Sequence, residues 1–266
     1  MLLKISLLTG LIFAALYPLC FWISRKDPLK NNFHRFHLGL PTVVGGVVVV
    51  SLLFMALPDI LKRMALLWEA VLLLCTAYFW KKETVDLRLI AVPCFLGVYV
   101  FSSAQIWLVQ SPWYPKDGDF DWTAICIGLL SGFILCSSIF AMNLGHWYLN
   151  VHGLPISHLI RTVRVFGFFL VLRIVWDLYS LWKGLMSWDG QAIPLFQFIQ
   201  GIEGIFVWMA IFFGSLFPLI TLYFVNGTLK VKSTQSATGI LYVILIAVLI
   251  GDLTYKYYLF RYGIAL

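Results

Sequence analysis

Charge is scarce in this sequence. Asp, Glu, Lys and Arg make up 12% of its 266 residues, about half the ~25% of a soluble domain. With 61% apolar residues and a mean hydropathy of +0.91, too little polar surface remains to dissolve a globule. Nucleotide and hydrolase signatures are missing as well. There is no Walker A lysine motif, no G-x-G-x-x-G, no G-x-S-x-G and no H-E-x-x-H. Their absence argues against a self-contained nucleotide-driven pump or a membrane metalloprotease. No C-x-x-C occurs. Cys20, Cys75, Cys94, Cys126 and Cys136 all lie inside apolar runs, so they read as small hydrophobes rather than disulfides or metal ligands.

What the chain does have is long apolar runs. Without water in the hydrocarbon core, backbone groups must pair internally, so only helices or closed barrels span a bilayer. Barrel strands alternate apolar and polar over about 10 residues; these runs are about twice that long and do not alternate. The reading is therefore all-α: a polytopic integral membrane bundle of about eight transmembrane helices, in one transmembrane domain over 1–266. The expected spans are Leu3–Ile23, Leu38–Leu57, Leu66–Trp80, Leu89–Val109, Trp122–Leu149, Val163–Trp182, Ile202–Val225 and Thr238–Tyr258. No small-x-small cleavage site follows the first run, which reads as a retained span. Trp107, Trp113, Tyr114, Trp122, Trp176, Tyr179, Trp182 and Trp188 crowd one expected interface, as an aromatic belt does.

The formal net charge of +7 carries no nucleic-acid signature, because the basic residues sit in short connections. Eleven of them (Arg25, Lys26, Lys30, Arg35, Lys81, Lys82, Arg88, Arg161, Arg164, Lys230 and Lys232) fall in the odd-numbered connections. Seven (Lys4, Lys62, Arg63, Lys116, Lys183, Lys256 and Arg261) fall on the opposite side. Positive loops stay inside, so both termini are expected outside: periplasmic, for a bacterial-type inner membrane. A short echo, His37-Leu38-Gly39-Leu40-Pro41 against His152-Gly153-Leu154-Pro155, recurs four helices apart. It allows a 4+4 parallel repeat with halves 1–118 and 119–266. Chance and turn chemistry explain so short a match equally well.

Two constellations carry chemistry. All five histidines fall in or beside two expected cytoplasmic connections: His34 and His37 in one, His146, His152 and His158 in the other. Histidine ligates metals and titrates near neutral pH. A site anchored on His146, beside Gly145, with His37, His152 or His158 and with Asn143 orienting a ring, suits haem b or a quinone head group. The alternative is that these rings sit among lipid headgroups beside Trp147 and Tyr148. The second constellation is intramembrane charge: Glu69, Arg173, Asp177, Glu203 and Asp252. Such groups are costly and usually paired. Arg173 and Asp177 stand at i,i+4 and can pair. At 1.5 Å per residue, Arg173 is about 15–18 Å deep and Asp252 about 20 Å, so the two can share a layer. The sequence therefore suggests a membrane subunit of a redox or respiratory complex, with other subunits as partners. It alternatively suggests a secondary transporter built on Arg173, Asp177 and Asp252, or a purely structural subunit.

Overall fold

The computed structural model describes residues 1–24, 33–109, 121–151, 154–188 and 191–266. Eight long helical segments run through them. Helix α1 spans Leu2–Leu16 and continues as a tighter 3₁₀ helix over Tyr17–Ser24. Helices α2 (Phe33–Leu53), α3 (Asp59–Phe79) and α4 (Leu87–Leu108) follow, then α5 (Trp122–Asn150) and α6 (Ser157–Lys183). A two-stranded antiparallel hairpin, β1 (Leu185–Trp188) with β2 (Gln191–Pro194), leads into the short α7 (Leu195–Phe198). The seventh long segment, Ile202–Lys230, is composite: a short 3₁₀ turn, α8 (Ile205–Ile211), a π-helical turn (Phe212–Leu216) and α9 (Phe217–Lys230). Helix α10 (Thr234–Tyr262) ends at Gly263, whose φ of 70° is the left-handed stop that glycine adopts without strain.

Among the described residues, six of these segments are long and apolar enough to cross a membrane. Helices α3 and α6, of 21 and 27 residues, are long enough but carry more charge. The fold is an all-α, membrane-type bundle. Its outer surface is apolar: Phe54, Ile60, Leu74, Phe95, Val175, Ile202, Ile220 and Tyr223 are each more than half exposed. In water such a surface would drive aggregation; against acyl chains it is at home.

The described chain forms two compact units, 1–108 and 122–266. In the first, α1 packs on α2 and α4, and α3 packs on α2 and α4. In the second, α5 packs on α6 and α10, and α9 packs on α6 and α10. Each unit is thus a ring of four long segments in the same cyclic order.

Three details differ from the sequence reading. Helix α3 starts at Asp59, after Pro58, and not at Leu66; hydropathy alone discards its first turns because they hold Asp59, Lys62 and Arg63. His34 and His37 lie inside α2 rather than in a connection, since the helix runs through Pro41. The first Gly-Leu-Pro is consequently helical, whereas Leu154 and Pro155 of the second lie in a connection. The two copies do not share a conformation, so the tripeptide is not the mark of a repeat.

The π-helical turn has a visible cause. Pro218 has no N–H to give Gly214, and its ring crowds the carbonyl four residues back. One extra residue widens the turn there. It brings Gly214 so close to Gly251 of α10 that a Cβ on Gly251 would strike the backbone nitrogen and Cα of Gly214. Backbone cannot yield as a side chain does. Gly251→Ala is therefore expected to cost about 1–3 kcal/mol, the range for overpacking, seen as a lower unfolding midpoint in detergent. Gly239→Ala, in α10 with nothing within 4 Å of its would-be Cβ, is expected not to lower the midpoint, since alanine favours a helix over glycine by up to about 1 kcal/mol.

Candidate functional site

The second unit holds a buried ionic cluster. Arg173, on α6, is 1% exposed, and Asp177, one turn on, is 3% exposed. The arginine Nε lies 3.2 Å from Asp177 Oδ1, close enough for Coulomb attraction but not aligned as a hydrogen bond. The rest of the guanidinium is engaged. One terminal nitrogen donates to Ser131 Oγ on α5 at 3.2 Å, and the other donates to the main-chain oxygen of Leu266. Its plane rests on the ring of Tyr255, 3.5 Å from the centroid, a cation–π contact strengthened by the dry surroundings. The other Asp177 oxygen, Oδ2, accepts from Ser215 Oγ at 2.9 Å and from Tyr255 Oη at 2.8 Å. Ser215 sits in the π-helical turn and also lies 2.8 Å from the Ile211 carbonyl. Its single proton serves one acceptor at a time.

A second pair lies on α10, where Lys256 donates to Asp252. Both are about 5% exposed, and both lie within electrostatic reach of Arg173. Two cations and two carboxylates make the cluster neutral overall, which is the arrangement a low-dielectric interior tolerates. Arg173 and Asp252 each lie ten residues before the C-terminal end of their helix, about 15 Å at 1.5 Å per residue, and Asp177 and Lys256 lie one turn nearer to it.

The i,i+4 pairing of Arg173 and Asp177 is present. Asp252 takes Lys256 as its partner. Lys256, counted with the outer charges by sequence, is inside: α10 runs four residues beyond Tyr258 and keeps it in the bundle. The Asp252–Lys256 spacing, the same i,i+4 as Arg173–Asp177, was the available signal. Tyr255 and the hydroxyls of Ser131 and Ser215 carry no mark in the sequence that sets them apart from ordinary membrane Ser and Tyr. Glu69 belongs to the first unit, and every described partner of Arg173 belongs to the second. Glu203, at the start of the composite segment, meets Tyr258 through its carbonyl and Tyr262 through its carboxylate.

The histidines divide between the units. In the first, His37 is 1% exposed. Its Nδ1 lies 2.7 Å from Tyr17 Oη, and its ring stacks on Phe33 with centroids 3.9 Å apart. In the second, His158 is buried and accepts from Arg161 at 3.1 Å. His146 is exposed near the end of α5 and makes no side-chain hydrogen bond among the described residues. Asn143 lies one turn before it, half-buried. Gly145 faces α10, where a Cβ would meet Thr238 Oγ1 at 2.6 Å; the room beside it is taken by a helix, not left for a ligand. His152 lies outside the described residues. Among the described residues no group of three or more His, Cys, Asp or Glu is arranged to hold a metal ion.

Comparison with protein-family models, with curated proteins and with solved structures finds no match for the chain. Function is therefore argued from the site alone.

The cluster's dryness is measurable. Removing one member of a desolvated pair costs about 3–5 kcal/mol, because the survivor is left charged and buried. Polar contacts in membranes otherwise average about 0.6 kcal/mol. Arg173→Met is expected to fall in the larger range, and Arg173→Met with Asp177→Leu to recover most of the loss. A single-variant loss near the smaller figure would show that water reaches the pair.

Proposed function

We propose that the chain is a secondary transporter with eight spans in two four-helix halves, set in a bacterial-type inner membrane with both termini outside. The four-segment rings of identical cyclic order support the 4+4 halves. Helices α3 and α6 complete the count of spans, their charges turned to the bundle interior or the interface.

The observation that carries the transporter reading is Asp177, a buried carboxylate holding a buried guanidinium while two hydroxyls wait on its second oxygen. When Asp177 takes a proton, its hold on Arg173 is lost and the guanidinium is left free for another anion. A small anionic group then replaces the carboxylate on Arg173. One proton and one negative charge enter together, so the cluster stays neutral throughout. When the proton leaves, Asp177 reclaims Arg173 and expels the anion. The π-helical turn that delivers Ser215 belongs to the composite helix type that lines transporter sites.

A second reading, a redox-complex subunit binding a quinone, rests on His37. Its imidazole is fixed by Tyr17 and walled by Phe21 and Phe33, so its other nitrogen has a defined direction. A visible absorption spectrum of the purified protein showing a Soret band, or extraction of stoichiometric quinone, favours this reading.

The transporter reading is tested in liposomes loaded with a pH-sensitive dye. Phosphate, sulfate and dicarboxylates are added outside in turn. At least one is expected to acidify the interior, Arg173→Met to abolish the signal, and Asp177→Asn to abolish proton entry. No acidification above protein-free liposomes for any of these anions rejects proton–anion coupling.

A further inference from the structure

We propose a second ionisable site, in the first unit: Glu69 is a proton-binding carboxyl at the middle of the membrane. The proposal is independent of Asp177 and Arg173 and rests only on the reading that α3 crosses the bilayer. Glu69 sits ten residues from either end of α3, about 15 Å from each. It is 9% exposed. Its Oε2 is buried and makes no hydrogen bond among the described residues.

The facing surface is shaped for this side chain. Gly45 and Gly46 of α2 lie against it; a Cβ on Gly45 would collide with Oε2, and one on Gly46 would stand 3.6 Å from Oε1. Trp68 closes another side and spends its indole N–H on the Pro93 carbonyl of α4, at 2.9 Å. It has no proton left for Glu69.

Among the described residues no charge compensates the carboxylate. Helix α2 brings His34, Arg35 and His37, α4 brings Arg88, Cys94 and Tyr99, and α3 itself carries Asp59, Lys62, Arg63, Cys75 and Tyr78. None of them bonds Glu69, and the cationic ones all lie in the first turns of their helices. An ionised carboxylate held alone at this depth is among the costliest arrangements a membrane protein can adopt. A metal cation does not relieve it, because hard cations need about six oxygen ligands and two glycines and an occupied indole supply none. A proton needs only one, and it converts the group to a neutral acid.

The seam between α2 and α3 carries further polar side chains in line with Glu69. Thr42 and Thr76 are hydrogen-bonded across it at 2.7 Å. At its end His34, 4% exposed, donates from Nε2 to the Phe79 carbonyl at 3.1 Å. Its Nδ1 is buried without a partner among the described residues, and that lone pair is free to take a proton. His34, the threonine pair and Glu69 thus step from the first turn of α2 to the middle of α3 on one helix–helix face.

The test is labelling with dicyclohexylcarbodiimide, which dissolves in the bilayer and reacts with protonated carboxyls. The acid's proton passes to a carbodiimide nitrogen while its oxygen bonds to the central carbon, so the adduct gains the mass of one reagent molecule. Full-length protein in native membranes is treated and mapped by mass spectrometry. Glu69 is expected to label, and the yield to fall about tenfold per pH unit once the group ionises. Glu69→Gln is expected to remove the adduct, and Glu69→Asp, which keeps a carboxyl, to retain it. A water-soluble carbodiimide is expected to label the exposed Asp59, Glu83 and Asp86 in place of Glu69. An unlabelled Glu69, or a yield that is flat between about pH 5 and pH 9, overturns the proposal.

Discussion

The bilayer's lack of water is the constraint on which the rest of this structure depends, and Arg173 is where it presses hardest. A guanidinium has five N–H groups and no way to lose its charge. Once it is placed 1% exposed in α6, everything around it has to answer it. Asp177 supplies the opposite charge, Ser131 and the Leu266 main chain take N–H groups, and Tyr255 gives its ring face. Asp177 in turn needs donors, and the π-helical turn must approach close enough for Ser215 to be one. The π-helical turn enforced by Pro218 and the side-chain-free contact of Gly214 with Gly251 serve that approach. Features that look unrelated in sequence, two glycines, a proline and a serine, follow from one buried cation.

The two units meet the same constraint in opposite ways. The second neutralises charge with charge, twice, at Arg173–Asp177 and Asp252–Lys256. The first has no such pair at Glu69. It offers two glycines and an indole that is already engaged. Elsewhere in the first unit polar groups meet without net charge, His37 at Tyr17 and Thr42 at Thr76. One unit therefore stabilises ions at depth, and the other stabilises a neutral acid.

How much of this was legible follows from which signals are local. Long apolar runs are local, and each expected span overlaps one long helical segment. The misplaced edges are those where charge sits inside a helix: Asp59 to Arg63 in α3, and the histidine-rich first turns of α2. Hydropathy marks where a helix becomes apolar, not where its hydrogen bonds begin. The Arg173–Asp177 pair was legible because i,i+4 neighbours share a face. Lys256 reads as an outer charge because a lysine near a span's end is ordinarily interfacial, and the further turn of helix to Tyr262 is not visible in the pattern. Tyr255, Ser131 and Ser215 are illegible in principle, since their role comes from helices brought together over separations of 78, 42 and 38 residues. Gly145, beside the expected His146 site, is a point of close approach to Thr238 of α10 and not to a ligand.

Stability alone does not explain the ionic cluster. Well-packed apolar residues in place of a buried ion pair are often neutral or stabilising by about 1–4 kcal/mol. A bundle with this much apolar surface has no shortage of ways to fill a core. Fixing helix register does not require four charges either, because one pair suffices to penalise a slipped alignment. What four charges provide, and a hydrophobic plug does not, is a set of alternative pairings of similar energy. Ser215, for one, can donate to Asp177 or to Ile211. Beside the cluster the π-helical turn meets α10 backbone to backbone at Gly214 and Gly251, with the Tyr255 ring packed against Gly214. Charge kept where it costs stability is what the proposed transport site accounts for and a purely structural subunit does not.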